Sequence, residues 1–105
     1  MEYRFDNYAK HVGSRGKYEW YRWKVFMVEP KEKEELKKIK RVEYRLHETF
    51  PNPIRIVEDR NDRFALRSAG WGEFDIFITI YLEDGTEEHA KYYLDLGKPW
   101  PPGEE

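Results

Sequence analysis

Cysteine is absent from this chain. That excludes a disulfide framework, a thiolate nucleophile and any thiolate-bound metal or iron–sulfur centre. Long apolar runs are absent as well, and none approaches the length needed to cross a bilayer. No signal-type apolar stretch opens the sequence. Neither sign of charge dominates: 19 Lys and Arg are interspersed with 21 Asp and Glu, for a net charge of −2. Nothing in that order resembles a basic stripe, so nucleic acid is not an expected partner. The histidines, His11, His47 and His89, are scattered without ligand-like spacing. No metal site is therefore expected, and no other cofactor. A glycine-rich phosphate loop, a nucleophile elbow and a Ser/His/Asp arrangement are all missing. These absences point to a non-enzymatic domain that does not insert into a membrane. The expected location is cytoplasmic, or nuclear in a eukaryote. The chain is also compatible with being one module of a larger multidomain protein.

What is present is aromatic. Hydrophobic residues make up only 39% of the chain and charged residues 38%. Four Trp, eight Tyr and six Phe compensate, because each ring removes a large apolar area from water. At 105 residues the expectation is one domain, 1–105, with a small aromatic core under a charged surface.

Two-residue alternation dominates and predicts strands. Residues 3–8 read as a first edge strand and 11–16 as a turn. In residues 18–28, Trp23, Val25 and Met27 share one face, and Arg22, Lys24, Phe26 and Val28 the other. Residues 29–38 are a Glu/Lys run, read as a solvated loop or a single helical turn. In 41–47, Val42, Tyr44 and Leu46 point inward. Ile39 is out of phase, which predicts an irregular strand start. Pro51 and Pro53 stop that strand. Short strands follow at 54–57 and 63–67, with turns at 59–62 and 68–72. The clearest strand is 74–82, with Phe74, Ile76, Ile78, Ile80 and Leu82 on one face. Asp84 and Gly85 mark a tight hairpin, and 88–96 returns. Residues 97–105 read as an extended tail outside a core of 18–96. Together these signals predict an all-β, immunoglobulin-like β-sandwich of seven to eight antiparallel strands.

Two segments carry the functional information: Leu46-His47-Glu48-Thr49-Phe50-Pro51 and Gly70-Trp71-Gly72-Glu73-Phe74. Each places an aromatic ring on a short turn at one mouth of the sandwich. Phe50 and Trp71, with a hydroxyl, an imidazole and free backbone amides, are the parts of a slot for a flat, neutral, amide-bearing side chain. Glycine on either side of Trp71 permits φ values that other residues resist.

The order of these signals resembles the YEATS domain family of acylated-lysine readers. The resemblance covers residues 18–96. It rests on Trp23-Lys24-Val25-Phe26, on 42–51 continuing to Pro53 and Arg55, and on 70–74 before an isoleucine-rich strand. The compact chain is similar to the prokaryotic branch of the family. The resemblance implies an acetyl- or crotonyl-lysine peptide or protein as partner. It makes Phe50 and Trp71 the aromatic walls, Thr49 the hydroxyl on the acyl amide and His47 the imidazole at the pocket base. Gly70 and Gly72 become the small residues that expose the turn, so that the Trp71 amide donates to the acyl carbonyl. A third aromatic wall is expected among Tyr18, Trp20 and Tyr21.

Each of these residues also has a structural reading. Trp71 can brace its turn, Phe50 can anchor its loop, His47 can hold a strand end and Thr49 can satisfy local backbone groups. Glu48 and Glu73 read as solvated strand-end residues, not as an acid/base pair. The competing function is a structural or protein–protein module that keeps the fold but leaves acyl-lysine alone. It would pair through a sheet edge or through an aromatic face of Phe26, Phe77, Tyr81 and Tyr93.

Overall fold

The computed structural model describes residues 3–104. Seven strands form in chain order: β1 (Phe5–Arg15), β2 (Tyr18–Met27), β3 (Ile39–Arg45), β4 (Ile54–Val57), β5 (Leu66–Gly70), β6 (Asp75–Leu82) and β7 (Glu87–Tyr93). The charged run before β3 folds as a single helical turn, α1 (Glu34–Lys37). Two antiparallel sheets result, one in the order β1-β2-β5 and the other β4-β3-β6-β7. This is the expected all-β, immunoglobulin-like sandwich. No described helix is long and apolar enough to cross a membrane.

The core is the set of residues that alternation turns inward. Trp23, Val25 and Met27 of one sheet pack on Val42, Tyr44, Ile76, Ile78 and Ile80 of the other, with Ile39, Leu46, Phe64 and Leu94 closing the ends. Tyr44 is fully buried, and its hydroxyl donates to the Phe64 carbonyl at 2.6 Å. Burial holds that phenol far above its usual range, so it remains a neutral donor. The out-of-phase Ile39 is explained by a register shift between Ile39 and Arg41.

Several strand ends shift by one or two residues from the sequence expectation, and three differences are larger. First, residues 11–15 are not a turn: β1 runs on to Arg15, with a bulge between His11 and Gly13. Gly13, at φ 151°, accommodates the extra residue, and Gly16, at φ 61°, makes the reversal. Second, residues 63–67 are not one strand. Arg63 and Phe64 are both left-handed, at φ 53° and 54°, after a 3-10 turn over Arg60–Asp62. The Phe64 amide bonds the Asp59 carbonyl at 2.9 Å and its ring is fully buried. Core burial thus overrides local backbone preference. The strand is displaced to Leu66–Gly70, through residues that composition marked as a turn.

Third, β7 ends at Tyr93, before the expected Leu96. Buried Asn7 takes over the pairing there. Its Nδ2 donates to the Asp95 carbonyl at 2.9 Å, and its Oδ1 accepts from the Asp95 amide at 3.1 Å and the Tyr92 hydroxyl at 2.6 Å. The following residues, 97–104, expected as an extended tail, turn at 96–97 and again at 102–103, and pack as a strap. The Ala9 amide donates to the Lys98 carbonyl at 2.8 Å, Pro99 bridges Ala9 in parallel, and Trp100 packs on Tyr8. The edge of β1 is thereby partly covered.

The single aromatic face of Phe26, Phe77, Tyr81 and Tyr93 does not exist. Phe26 lies on the β1-β2-β5 sheet and is 3% exposed, beneath Tyr8, Lys24 and Arg63. Phe77, Tyr81 and Tyr93 lie on the opposite sheet, where Phe77 and Tyr93 are exposed and are separated from the exposed Ile54 and Ile56 by Arg45 and Glu43 of β3.

Candidate functional site

A cleft of about 540 Å³ opens at one end of the sandwich. Two loops and one strand edge form it. The loop after β3 brings His47, Thr49, Phe50 and Pro51; β5 and the turn after it bring Ser68, Ala69, Gly70, Trp71, Gly72, Glu73 and Phe74. All six residues singled out from the sequence, His47, Thr49, Phe50, Gly70, Trp71 and Gly72, line this one cavity.

The two expected aromatic walls are anchored differently. Phe50 is half-buried, with its ring 5.2 Å from Phe74 and 6.3 Å from Trp23. A Cβ added to Gly70 would stand 3.3 Å from the tip of Phe50. Gly70 is therefore needed for close approach, not for its φ, which is not left-handed. Gly72 is not left-handed either, and open space surrounds it. The expectation that both glycines serve an unusual backbone angle is thus corrected. Trp71 is 52% exposed and stacks on Tyr18 at 4.3 Å and 28°.

The third-wall candidates separate by strand parity. Trp20 lines the cleft, Tyr18 supports Trp71 from the hairpin, and Tyr21 turns to the inner face, where it packs on the core. Tyr18 and Trp20 each carry a cation: Lys17 lies 5.4 Å from the Tyr18 ring and Arg15 lies 4.6 Å from the Trp20 ring.

Polar geometry in the cleft centres on His47 and Thr49. The His47 Nδ1 accepts the Thr49 amide at 3.2 Å and lies 2.9 Å from the Thr49 hydroxyl oxygen. A nitrogen accepting an amide carries no proton, so the hydroxyl donates to it as well. That leaves the Thr49 lone pairs available to accept from a guest N–H. The imidazole acts as a positioning group for the Thr49 loop. Its ring also packs edge-on at 6.3 Å from Phe74.

Phe74 and Arg55 belong to the motifs quoted from the sequence but were given no role in the site. Phe74 is in phase with Ile76 and so reads as plain core. Arg55 donates from Nε to the Asn52 carbonyl at 2.6 Å and from Nη2 to the Pro51 carbonyl at 2.9 Å. It clamps the loop next to Phe50, where Asn52 is left-handed at φ 49°. Only its position two residues after Pro53 hinted at that role. Glu73 is exposed and accepts the Leu96 amide at 2.9 Å, a structural use of the carboxylate. Among the described residues no group of three or more His, Asp or Glu is placed to hold a metal ion.

Comparison with known proteins identifies the family of the domain. The prokaryotic YEATS domain family matches residues 21–95. The protein AF-9 homolog of Kluyveromyces lactis is 40% identical over 75 residues, which are 70% of this chain and 33% of that protein. The AF-9 homolog of Saccharomyces cerevisiae is 39% identical over 75 residues, again 70% of this chain and 32% of that protein. The chain thus spans about a third of the length of these relatives. Among solved structures, the Yaf9 YEATS domain recognizing an H3K122suc peptide superposes with a TM-score of 0.71 at 29% identity, covering 92% of this chain and 78% of that one. The Yaf9 YEATS domain bound to H3K27ac gives 0.68 at 27% identity, covering 95% and 79%. With the family match spanning most of its length and its paired loops meeting in one cleft, this chain belongs to the YEATS domain family.

Proposed function

We propose that this domain is a non-enzymatic reader that takes an acylated lysine side chain into the cleft between the Phe50 and Trp71 loops. The observation that carries this reading is the meeting of two sequence-distant motifs in one largely apolar cleft that has Trp20, Phe50, Trp71 and Phe74 in its walls and a hydroxyl acceptor at Thr49. Relatives in the structural comparison that are bound to acylated peptides support it.

The chemistry follows from the guest. An acyl-lysine head is planar, uncharged and amide-like. Ring contacts contribute roughly 0.5–1.5 kcal/mol beyond area burial. The buried amide needs both an acceptor and a donor, since each unmet group costs about 1–3 kcal/mol. Thr49 supplies the acceptor and the Trp71 backbone amide the donor. An unmodified ammonium would lose its water against rings, and cation–π attraction of about 0.5–2 kcal/mol offsets only part of that loss. Longer flat acyl groups such as crotonyl gain ring contact over acetyl. One small slot engages few atoms, so affinity is micromolar or weaker. The natural partner is an acylated-lysine peptide or protein. The test is an amide-resolved NMR titration with acetyl-, crotonyl- and unmodified-lysine peptides. Saturable shifts at Thr49, Phe50 and 70–72 with acylated peptides alone are expected. Equal shifts with unmodified lysine would sink the reading.

The structural-module alternative retains one specific observation. Ile54, Ile56, Phe77 and Tyr93 are all exposed on the outer face of the β4-β3-β6-β7 sheet. Self-association that responds to mutation of these residues, with an inert cleft, would favour it.

A further inference from the structure

We infer that the outer face of the β1-β2-β5 sheet is a docking surface for an acidic peptide segment. The link to the segment flanking an acyl-lysine rests on the cleft reading above; the docking of acid on this face does not.

Strand alternation assembles a basic face that linear order conceals. Trp23 and Val25 point inward, so Arg22 and Lys24 point outward. Register then sets Lys10 opposite Arg22, and Lys24 opposite Arg67. Two consecutive rows thus place cation directly against cation, an arrangement that destabilises a sheet unless an anion relieves it.

One row is already relieved. Lys24 is only 2% exposed, and its ammonium lies 3.3 Å from a Glu104 carboxylate oxygen and over the Phe26 and Tyr8 rings. The same oxygen is 3.2 Å from Arg63, and Asp62 is 2.7 Å from Arg67. Glu104 arrives on the proline-containing strap that runs along β1. The face therefore already holds one carboxylate, presented from a turn in which the Glu104 amide bonds the Pro101 carbonyl and Gly103 is left-handed at φ 81°.

The other row has no such relief. Lys10 and Arg22 are exposed, and no carboxylate among the described residues pairs with either. This row adjoins the cleft: Ala69 is the register partner of Arg22 and lines the cavity, as does Trp20 with Arg15 over its ring. A chain leaving the cleft over Trp20 and Ala69 meets Arg15, Arg22 and Lys10 in turn. Carboxylates are the matching groups, as the strap's own Glu104 demonstrates one row away.

The experiment uses the full chain and its K10Q/R22Q double variant. Four probes are titrated: a crotonyl-lysine peptide with neutral flanks, the same peptide with Asp/Glu flanks, the acidic peptide with unmodified lysine, and a short DNA duplex. Acidic flanks are expected to tighten binding about three- to tenfold at low salt, the scale of two exposed charge pairs. The gain disappears in the double variant and at high salt, while the neutral-flank affinity stays the same. Amide shifts spread to Lys10 and Arg22 only with acidic peptides. Equal affinity for acidic and neutral flanks overturns the inference even if the cleft binds. Shifts at Lys10 and Arg22 by acidic peptide, with no response to crotonyl, uphold the face and overturn the cleft reading. Tighter binding of duplex than of acidic peptide through Lys10 and Arg22 overturns it in favour of nucleic acid.

Discussion

Trp71 and Tyr18 form the one stacked ring pair at the cleft, and half of Trp71 faces solvent. Removing the indole therefore opens no core cavity. Trp71→Ala should keep the fold, with an unchanged far-UV spectrum and melting temperature, yet lose acyl-peptide binding at least about tenfold, the scale of a lost ring contact plus its buried area. Loss of folding along with binding would instead give Trp71 a purely structural role. Thr49→Val keeps the shape and removes the hydroxyl acceptor. It should weaken acyl-peptide binding by about 1–3 kcal/mol, measured by calorimetry. At Gly70 the issue is space. A methyl group there meets Phe50 at 3.3 Å, so Gly70→Ala should displace the ring and weaken binding, whereas Gly72→Ala, with nothing within 4 Å, should do much less. The motif was legible in sequence because its residues carry unusual chemistry in close order. The site roles of Phe74 and Arg55 were not, because a phenylalanine in phase with core isoleucines and an arginine on a short strand each have an ordinary reading.

Among the elements, β5 shows most plainly how local preference is overruled. Composition placed a strand at 63–67 and a turn at 68–72; burial of Phe64 shifts the strand to Leu66–Gly70. That shift sets Gly70 beside Tyr21, with Ala69 on the cleft wall. The Tyr44 hydroxyl fixes the preceding loop through the Phe64 carbonyl. Tyr44→Phe leaves that carbonyl without its buried donor and should cost about 1–3 kcal/mol. In thermal melts that is a drop of roughly 4–8 °C per kcal/mol for a domain of this size. An unchanged melting temperature would mean that water replaces the hydroxyl. Sequence alternation identified most strands correctly. It missed the continuation of β1 because Gly13 and Gly16 signal bulge and turn alike until a partner strand is known.

For the whole molecule, the two ends of the chain are tied through carboxylates, and this sets an acid response. Burial alone would raise the Asp6 carboxyl. Hydrogen bonds from Lys98, from the Asn7 amide and from the Tyr92 hydroxyl, together with the Lys98 charge, outweigh it and hold Asp6 below the usual range. Asp62 is held low as well: the Arg67 hydrogen bond is the largest influence and exceeds the opposing effect of burial. A carboxyl with a depressed folded-state pKa contributes stability that is complete above its unfolded value, near about 3.9, and disappears as pH falls through the folded value. Melting temperature should accordingly hold steady toward mild acid and then fall below that range. Asp6→Asn should give a lower plateau and a shallower acid decline; an acid profile identical to that of the unmodified chain would contradict the assignment.

The sequence by itself determined the class of fold, the inward residues of most strands and the six residues of the candidate cleft. Two-residue alternation and a dense motif are local properties that survive without coordinates. Only tertiary structure decided the rest. Strand register put Lys10 against Arg22 and Lys24 against Arg67, turning an evenly charged sequence into a basic face. Sheet assembly put Phe26 on one sheet, under Tyr8, Lys24 and Arg63, and Phe77, Tyr81 and Tyr93 on the other, and so divided the aromatic face that alternation had drawn as one. Both outcomes depend on which strands become neighbours. Pairing between segments far apart in the chain is set by the summed burial of the core, and no local window contains that sum.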